Sequence, residues 1–165
     1  MIPTIQECSV YWHGHLPGNK KNRVKVGTLA RNQEHLYFGY VSRWISLGIE
    51  ISPGFLPLST GTKPISLTDQ RSAAYLEDVG LRNEFRGLPG PFYDNLPDRW
   101  GMRLLANHTG KDPETLISLK ILCHRGNRCM GAFSYEPAVR TGTHGETLSP
   151  STLNSVSNAR AKSLT

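Results

Sequence analysis

The segment from Gly87 to Gly101 constrains the fold of this chain most strongly, because its prolines and glycines determine where helices begin and end. After the Gly- and Pro-rich stretch Gly87–Pro91, apolar side chains recur every three to four residues, the spacing of one helical face. These side chains are Phe92, Leu96, Trp100, Leu104 and Leu105. Pro97 interrupts the run, so the sequence predicts two helices divided at this proline.

Three strands are predicted before this segment. Cys8–His15 carries residues suited to a half-buried pleated surface, and Leu16–Asn22 contains the Pro, Gly and Asn of a turn. Val24–Ala30 resumes the apolar pattern, and His35–Tyr40 alternates apolar residues with period two. Together these segments predict a small antiparallel meander.

The remaining elements are mostly helical. Val41–Leu47 is short enough for a single helical turn, and Thr68 could cap a helix that stops at Gly80. Asp112 followed by proline predicts another helix start, with Gly126 as its end and residues 130–135 as a closing strand. The predicted fold class is α+β, a small antiparallel sheet with helices packed on one face.

Residues 1–137 are expected to form one domain. Residues 138–165 contain no aromatic side chain and are rich in Thr, Ser, Gly and Asn, which predicts a low-complexity tail that is disordered or a weak helix.

Composition favours a cytoplasmic protein with an acidic partner. The chain has 165 residues and a net charge of +6, while its three cysteines are too few and too scattered for a disulfide framework. Met1–Tyr11 lacks the pattern of a signal peptide, and no apolar run approaches the length of a membrane span. We therefore expect no membrane association.

Two groups of residues invite a chemical interpretation. Asp94 and Asp98 lie four residues apart and could act as paired acid–base carboxylates or metal ligands, but capping of the two adjoining helices is the favoured interpretation. Cys123, His124 and Cys129 suggest half of a zinc site, yet no second ligand pair lies nearby in sequence. We expect structural cysteines, with no metal, cofactor or catalytic residue.

Three further groups of residues could bind a ligand or nucleic acid. His13 and His15 share one strand face, an arrangement that is more often unremarkable than ligating. The Gly87-x-x-Gly90 spacing is a weak phosphate-loop signal, because its flanking prolines lack N–H donors. The basic stretch Lys20–Lys25, next to the aromatic residues Tyr37, Phe38 and Tyr40, is typical of single-strand binders, although such aromatics usually belong to a core.

Three patches resemble the N-terminal subdomain of the HipA family of serine/threonine kinases, the toxins of type II toxin–antitoxin systems. The first is the opening strand pair with Gly27 and the aromatic strand after it. The second matches the signature Gly-Leu-Pro-Gly, Asp-x-Leu-Pro-Asp and Trp-Gly, and the third matches a Gly-x-x-x-Met-Gly-Ala closing strand. The signature residues are Leu88, Pro89, Gly90, Phe92, Tyr93, Asp94, Asn95, Leu96, Pro97, Asp98, Arg99, Trp100, Gly101, Gly126, Met130, Gly131 and Ala132. The resemblance covers roughly residues 8–137.

The chain departs from the family at several points. Lys20–Lys25 is similar to an insertion in the first hairpin, Arg99 occupies a position that is usually small, and Cys129 adds a thiol. In the family, a Gly-rich loop ending in Pro-Lys, a catalytic Asp and metal-binding Asn and Asp residues follow this subdomain. The sequence contains none of them.

The resemblance therefore implies a non-catalytic interaction module. Its expected partners are a HipA-like kinase core, in trans or in cis, and a helix-turn-helix antitoxin, with DNA reached only through such a complex. In split systems of the family, a separate small protein of this kind counteracts the kinase. The alternative is a truncated remnant or N-terminal fragment of a HipA-family kinase. Contact residues are expected at Tyr93, Arg99 and Trp100, although Trp100 is equally suited to a core.

Overall fold

A five-stranded antiparallel sheet lies at the centre of the computed structural model, which describes residues 7–16, 23–32, 35–67, 88–112 and 117–138. The strands are β1 (Glu7–His13), β2 (Arg23–Asn32), β3 (His35–Tyr40), β4 (Ile65–Ser66) and β5 (Phe133–Pro137). Their order across the sheet is β4-β3-β2-β1-β5, and every neighbouring pair is antiparallel. The last strand therefore closes the sheet beside the first.

The described residues also form four α-helices. They are α1 (Ser42–Leu47), α2 (Gly90–Tyr93), α3 (Arg99–Thr109) and α4 (Ser118–Arg125), with a single 3-10 turn at Leu58–Thr60. Helix α1 packs against β2, and α4 packs against β1, β2 and β5. None of these helices has the length and apolar character that crossing a bilayer requires.

The core lies between one face of the sheet and these helices. Strand register places Cys8 beside Leu29 and Leu29 beside Phe38, so their side chains form one buried row across three strands. The helices contribute Trp44, Phe92, Leu119 and Leu122 to the same cluster. This arrangement confirms the predicted α+β class with helices on one face of the sheet.

Close packing at the middle of the sheet requires glycine at position 27. A Cβ atom there would overlap the Gly39 carbonyl oxygen and lie 2.5 Å from Cζ of Phe38. Both neighbours are in β3, where the backbone has little room to move. Gly27 therefore lets the Phe38 ring pack over β2.

A bulge in β2 connects the sheet to the first helix. Val10 pairs with Gly27 and Tyr11 pairs with Lys25, which leaves Val26 without a residue opposite it. The Val26 carbonyl accepts the Val41 N–H at 3.0 Å, and α1 begins at the next residue. The irregular register thus fixes where the chain leaves β3.

Most of the predicted boundaries in the described part agree with the structure. The three opening strands, the helical turn at Val41–Leu47 and the helix end at Gly126 are confirmed. The two-residue strand β4 was not predicted, because only its register with β3 distinguishes it from extended chain. The predicted closing strand was placed too early: β5 begins at Phe133, and Met130 is 80% exposed before it. A positive φ of 92° at Gly131 turns the chain between them.

Several predictions lie outside the described residues. The first turn and the start of the basic stretch fall in residues 17–22, and the helix after Thr68 falls in residues 68–87. The predicted helix start after Asp112 falls in residues 113–116, and the tail beyond residue 138 is outside the described part as well.

Candidate interaction surface

The first half of the Gly- and Pro-rich segment is a buried turn. Leu88 is 2% exposed and Pro89 is also buried, while the Pro89 carbonyl accepts the N–H groups of Phe92 and Tyr93 at 2.9 and 3.0 Å. Phe92 is fully buried, and its ring centroid lies 5.1 Å from that of Phe38. These residues therefore anchor the segment to the sheet rather than offer a binding group.

Asn95 is a buried polar residue directly after α2. The residue is 2% exposed, and its Nδ2 donates to the Pro91 carbonyl at 2.7 Å. This bond closes the turn at the end of α2, so the role of Asn95 is structural.

Asp98 starts helix α3. Its Oδ1 accepts the Gly101 N–H at 2.7 Å, the bond expected of an N-cap carboxylate. A Cβ atom at position 101 would lie 2.9 Å from the Pro97 Cβ, so the turn also requires glycine there. Both aspartates therefore occupy cap positions, as predicted: Asp98 is the N-cap of α3, and Asp94 is the C-cap of α2. Asp94 is exposed there and caps through its backbone N–H, which donates to the Gly90 carbonyl.

Helix α3 exposes two of its large apolar side chains. Trp100 is 68% exposed and Leu104 is 47% exposed, whereas Met102 and Ala106 face the core. The predicted division into two helices at Pro97 is confirmed, but the apolar run from Phe92 to Leu104 does not share one buried face. The Asp98 cap starts a new helix after Pro97, so the residue spacing of α2 does not continue into α3.

A cleft of about 310 Å³ borders this exposed face. Because residues four apart are neighbours on a helix, Trp100, Leu104 and His108 form one line along α3, and the last two of them line the cleft. Helix α4 and the loop after it form the opposite wall. The lining residues are Pro97, Gly101, Leu104, Leu105, His108, His124, Arg125 and Arg128.

The cleft lining combines apolar and cationic side chains. Arg125 Nη2 donates to the Arg128 carbonyl at 3.0 Å, which holds these two lining residues together. Arg99 and Arg103 are exposed on α3, and the described residues that line the cleft include no carboxylate. We define the α3 surface as Arg99, Trp100, Arg103, Leu104 and the cleft beside them. Its chemistry suits an apolar side chain with acidic neighbours.

Sequence reasoning identified only part of this surface. Arg99 and Trp100 belong to it, whereas Tyr93 is partly buried and packs against the core. The contributions of Arg103, His108 and Arg128 were missed, because nothing in their spacing shows that α3 and the end of α4 lie side by side. In the third patch of the family signature, Gly126 contributes a backbone hydrogen bond: its carbonyl accepts the Tyr135 N–H at 3.1 Å. Ala132 has a similar role, because its carbonyl accepts the His13 N–H at 2.6 Å.

Each of the three cysteines has a contact of its own within the described structure. Within the described ranges, no group of three or more His, Cys, Asp or Glu side chains is close enough to hold an ion. Cys129 Sγ contacts the Gly126 carbonyl at 3.7 Å, and burial raises the pKa of its thiol. Cys123 lies instead against Cys8, 2.8 Å between the sulfur atoms, a pairing that sequence reasoning missed.

The aromatic and histidine side chains of the first three strands do not form one ligand site. Tyr37, Phe38 and Tyr40 are at most 3% exposed, so they are core residues and not a stacking platform for bases. His13 Nε2 is hydrogen-bonded to the Ser134 hydroxyl, while His15 is exposed beyond the end of β1. The strand histidines therefore do not act together.

Comparison with protein families gives a match over most of the chain. A family model described as the HipA N-terminal domain matches residues 20–136. Comparison with the curated proteins gave no match, and comparison with the solved structures gave none.

Proposed function

The chain belongs to the HipA N-terminal domain family, and from this membership we propose that it is a non-catalytic protein-interaction module of a HipA-type toxin–antitoxin system. In this proposal, it packs on a HipA-like kinase core through the α3 surface. The match is to the N-terminal domain, which spans most of the described structure. The domain contributes a binding surface, and the phosphoryl-transfer chemistry belongs to the kinase core.

The exposure of Trp100 is the observation that carries this proposal. A tryptophan that is 68% exposed leaves a large apolar area in water, and burial of such a ring contributes strongly to association. Trp100 follows directly after Arg99 in a segment that is otherwise anchored by buried residues. A rigid base with one exposed aromatic side chain is the arrangement expected of an interface anchor.

The charge of the surface supports an acidic contact region on the partner. Arg99 and Arg103 project from α3, and Arg125 and Arg128 border the cleft. The net charge of +6 for the whole chain acts in the same direction. Complementary carboxylates on the partner would accelerate encounter and orient the complex, while Trp100 and Leu104 would supply most of the affinity.

The same surface can act in trans or in cis. A surface that packs on a kinase lobe within one chain can do so from a separate chain when the linker is absent, at lower effective concentration. As a separate protein, the module would regulate the kinase in the cytoplasm. A helix-turn-helix antitoxin would be a second partner and would bring the module to DNA only indirectly.

The alternative interpretation is that these residues are a remnant or N-terminal fragment of a HipA-family kinase. The low-complexity composition after residue 138 favours it. An intact, separate kinase reading frame beside this one supports the module, and a kinase sequence continuous with this chain supports the fragment.

Co-purification tests the proposal. The full chain, tagged, is expressed with the HipA-type kinase core and with the helix-turn-helix protein encoded beside it. We expect the kinase core to be retained, and we expect Trp100→Ala to release it while the variant stays folded by circular dichroism. A folded wild-type chain that retains neither protein would contradict the interaction module and favour the remnant.

A further inference from the structure

Two thiols from distant parts of the sequence meet inside the domain. Cys8 Sγ and Cys123 Sγ are 2.8 Å apart, although 115 positions separate them in the chain. Both belong to regular elements, Cys8 to β1 and Cys123 to α4. All three cysteines of the chain are free thiols, so this contact is not already a covalent bond.

The two thiols differ in access to solvent. Cys8 is fully buried between β2 and β5, with Leu29 and Pro137 as its partners in register. Cys123 is only partly buried on the surface of α4. A reagent arriving from solvent therefore meets Cys123 first, and Cys8 lies directly behind it.

We propose that Cys8 and Cys123 form an oxidation site, where a two-electron oxidant of the peroxide class converts the two thiols into a disulfide bond between β1 and α4. The proposal is independent of the proposed binding function. Since a reducing compartment keeps such thiols reduced, the bond would form during oxidative stress and be reversed by dithiol reductants.

The reaction has two balanced steps. The Cys123 sulfur attacks one peroxide oxygen, the O–O bond breaks, and Cys123 sulfenic acid and one water molecule are formed. The Cys8 sulfur then attacks the Cys123 sulfur, the S–O bond breaks, and the Cys8 thiol proton leaves with the hydroxyl group as a second water molecule. Two thiols and one hydrogen peroxide thus give one disulfide and two water molecules.

The position of Cys8 supports this order of events. Cys8 is fully buried, so peroxide from solvent does not reach it directly. Its sulfur is already in contact with that of Cys123, so it can attack the Cys123 sulfenic acid where that acid forms. The third cysteine, Cys129, has its Sγ directed to the Gly126 carbonyl and provides a matched control.

The bond would connect the core of the sheet to the wall of the cleft. Helix α4 ends with His124 and Arg125, both of which line the cleft, directly after Cys123. A link from α4 to β1 also closes most of the domain into one covalent loop, which restricts the unfolded chain. Oxidation should therefore raise the thermal midpoint by at least about 5 °C.

Peptide mapping of the oxidised full chain tests the proposal. The reduced protein is treated with hydrogen peroxide, the remaining thiols are alkylated, and linked peptides are identified by mass spectrometry. We expect a Cys8–Cys123 link, a mass loss of two hydrogens, and loss of both effects on reduction. Cys129→Ser should keep the link and the rise in thermal midpoint, whereas Cys123→Ser should abolish both.

Other products would overturn the proposal. A Cys123–Cys129 link, a disulfide between two copies of the chain, or sulfinic acid at Cys123 without a link would each show that Cys8 does not resolve the oxidised thiol. The mapping uses the wild-type chain, so it remains decisive even if a variant at the buried Cys8 fails to fold.

Discussion

The Gly101 N–H donates a hydrogen bond to Asp98 Oδ1 at 2.7 Å, and Trp100 lies between these two residues in sequence. The bond fixes the first turn of α3, and the orientation of that turn leaves the indole exposed. A structural cap and an exposed aromatic side chain are thus parts of the same short motif. Asp98, Arg99 and Trp100 are accordingly all exposed at the start of α3.

Removal of the Asp98 cap should weaken α3. Asp98→Ala leaves the Gly101 N–H without its acceptor, and we expect a loss of roughly 1 kcal/mol in the free energy of unfolding. Asp98→Asn retains a side-chain acceptor and should stay close to wild type. Urea denaturation measures both, with Asp94→Ala as the control, because Asp94 provides no side-chain cap. Equal losses for Asp94→Ala and Asp98→Ala would contradict the capping assignment.

Truncation of Phe92 should lower the stability of the domain far more than truncation of Trp100. Phe92 is fully buried in an aromatic cluster, and Phe92→Ala should cost about 3–5 kcal/mol of stability. Trp100→Ala should change stability by only about 0.5 kcal/mol or less, since most of the ring is already in water. Chemical denaturation of the two variants measures both changes in the free energy of unfolding. A large loss for Trp100→Ala would make Trp100 a core residue and remove the main support for the α3 surface.

Gly27→Ala should destabilise the sheet. The added methyl group meets the Gly39 carbonyl and the Phe38 ring, and overpacking of this kind costs about 1–3 kcal/mol. Gly54→Ala is the matched control, because a Cβ atom at that position meets nothing within 4 Å. Thermal denaturation should show a lower midpoint for the first variant and little change for the second. Similar midpoints would mean that β2 and β3 are not as close as the structure shows.

Stability should fall at alkaline pH, partly because of Tyr40. Burial raises the pKa of the Tyr40 hydroxyl to about 12, and this hydroxyl donates to the Leu56 carbonyl at 2.8 Å. Because the folded pKa exceeds the unfolded value of 10, the stabilising effect is complete below pH 10 and is lost as the pH rises towards 12. Tyr40→Phe should show a shallower decline across this interval in urea denaturation at fixed pH. An unchanged decline would exclude Tyr40 as its source.

The strands and the helix breaks follow from local sequence. Alternation of apolar residues in His35–Tyr40 and the proline at position 97 each reflect a constraint within a few residues, so both could be predicted. The side of α3 that faces the core could not be predicted from local sequence. That orientation depends on the Asp98 cap and on the contacts of Met102 and Ala106 with the rest of the domain.

The cleft and the thiol pair depend on tertiary structure alone. His108 and Arg128 are twenty positions apart, and only the packing of α3 near the end of α4 brings them to one cleft. Cys8 and Cys123 meet because α4 packs on β1, and no sequence motif predicts that contact. Sequence predicted the chemistry of individual segments, and the structure showed which of those segments meet.

Titration calorimetry of the full chain with the HipA-type kinase core tests the interaction module most directly. We expect saturable binding with a Kd near or below micromolar, about 8 kcal/mol, and at least tenfold weaker binding for Trp100→Ala. Lys111→Ala, an exposed change outside the cleft lining, should bind like wild type. A folded wild-type chain that gives no binding heat and no complex by sedimentation, or a Trp100→Ala variant that binds as tightly, would contradict the proposed role of this surface.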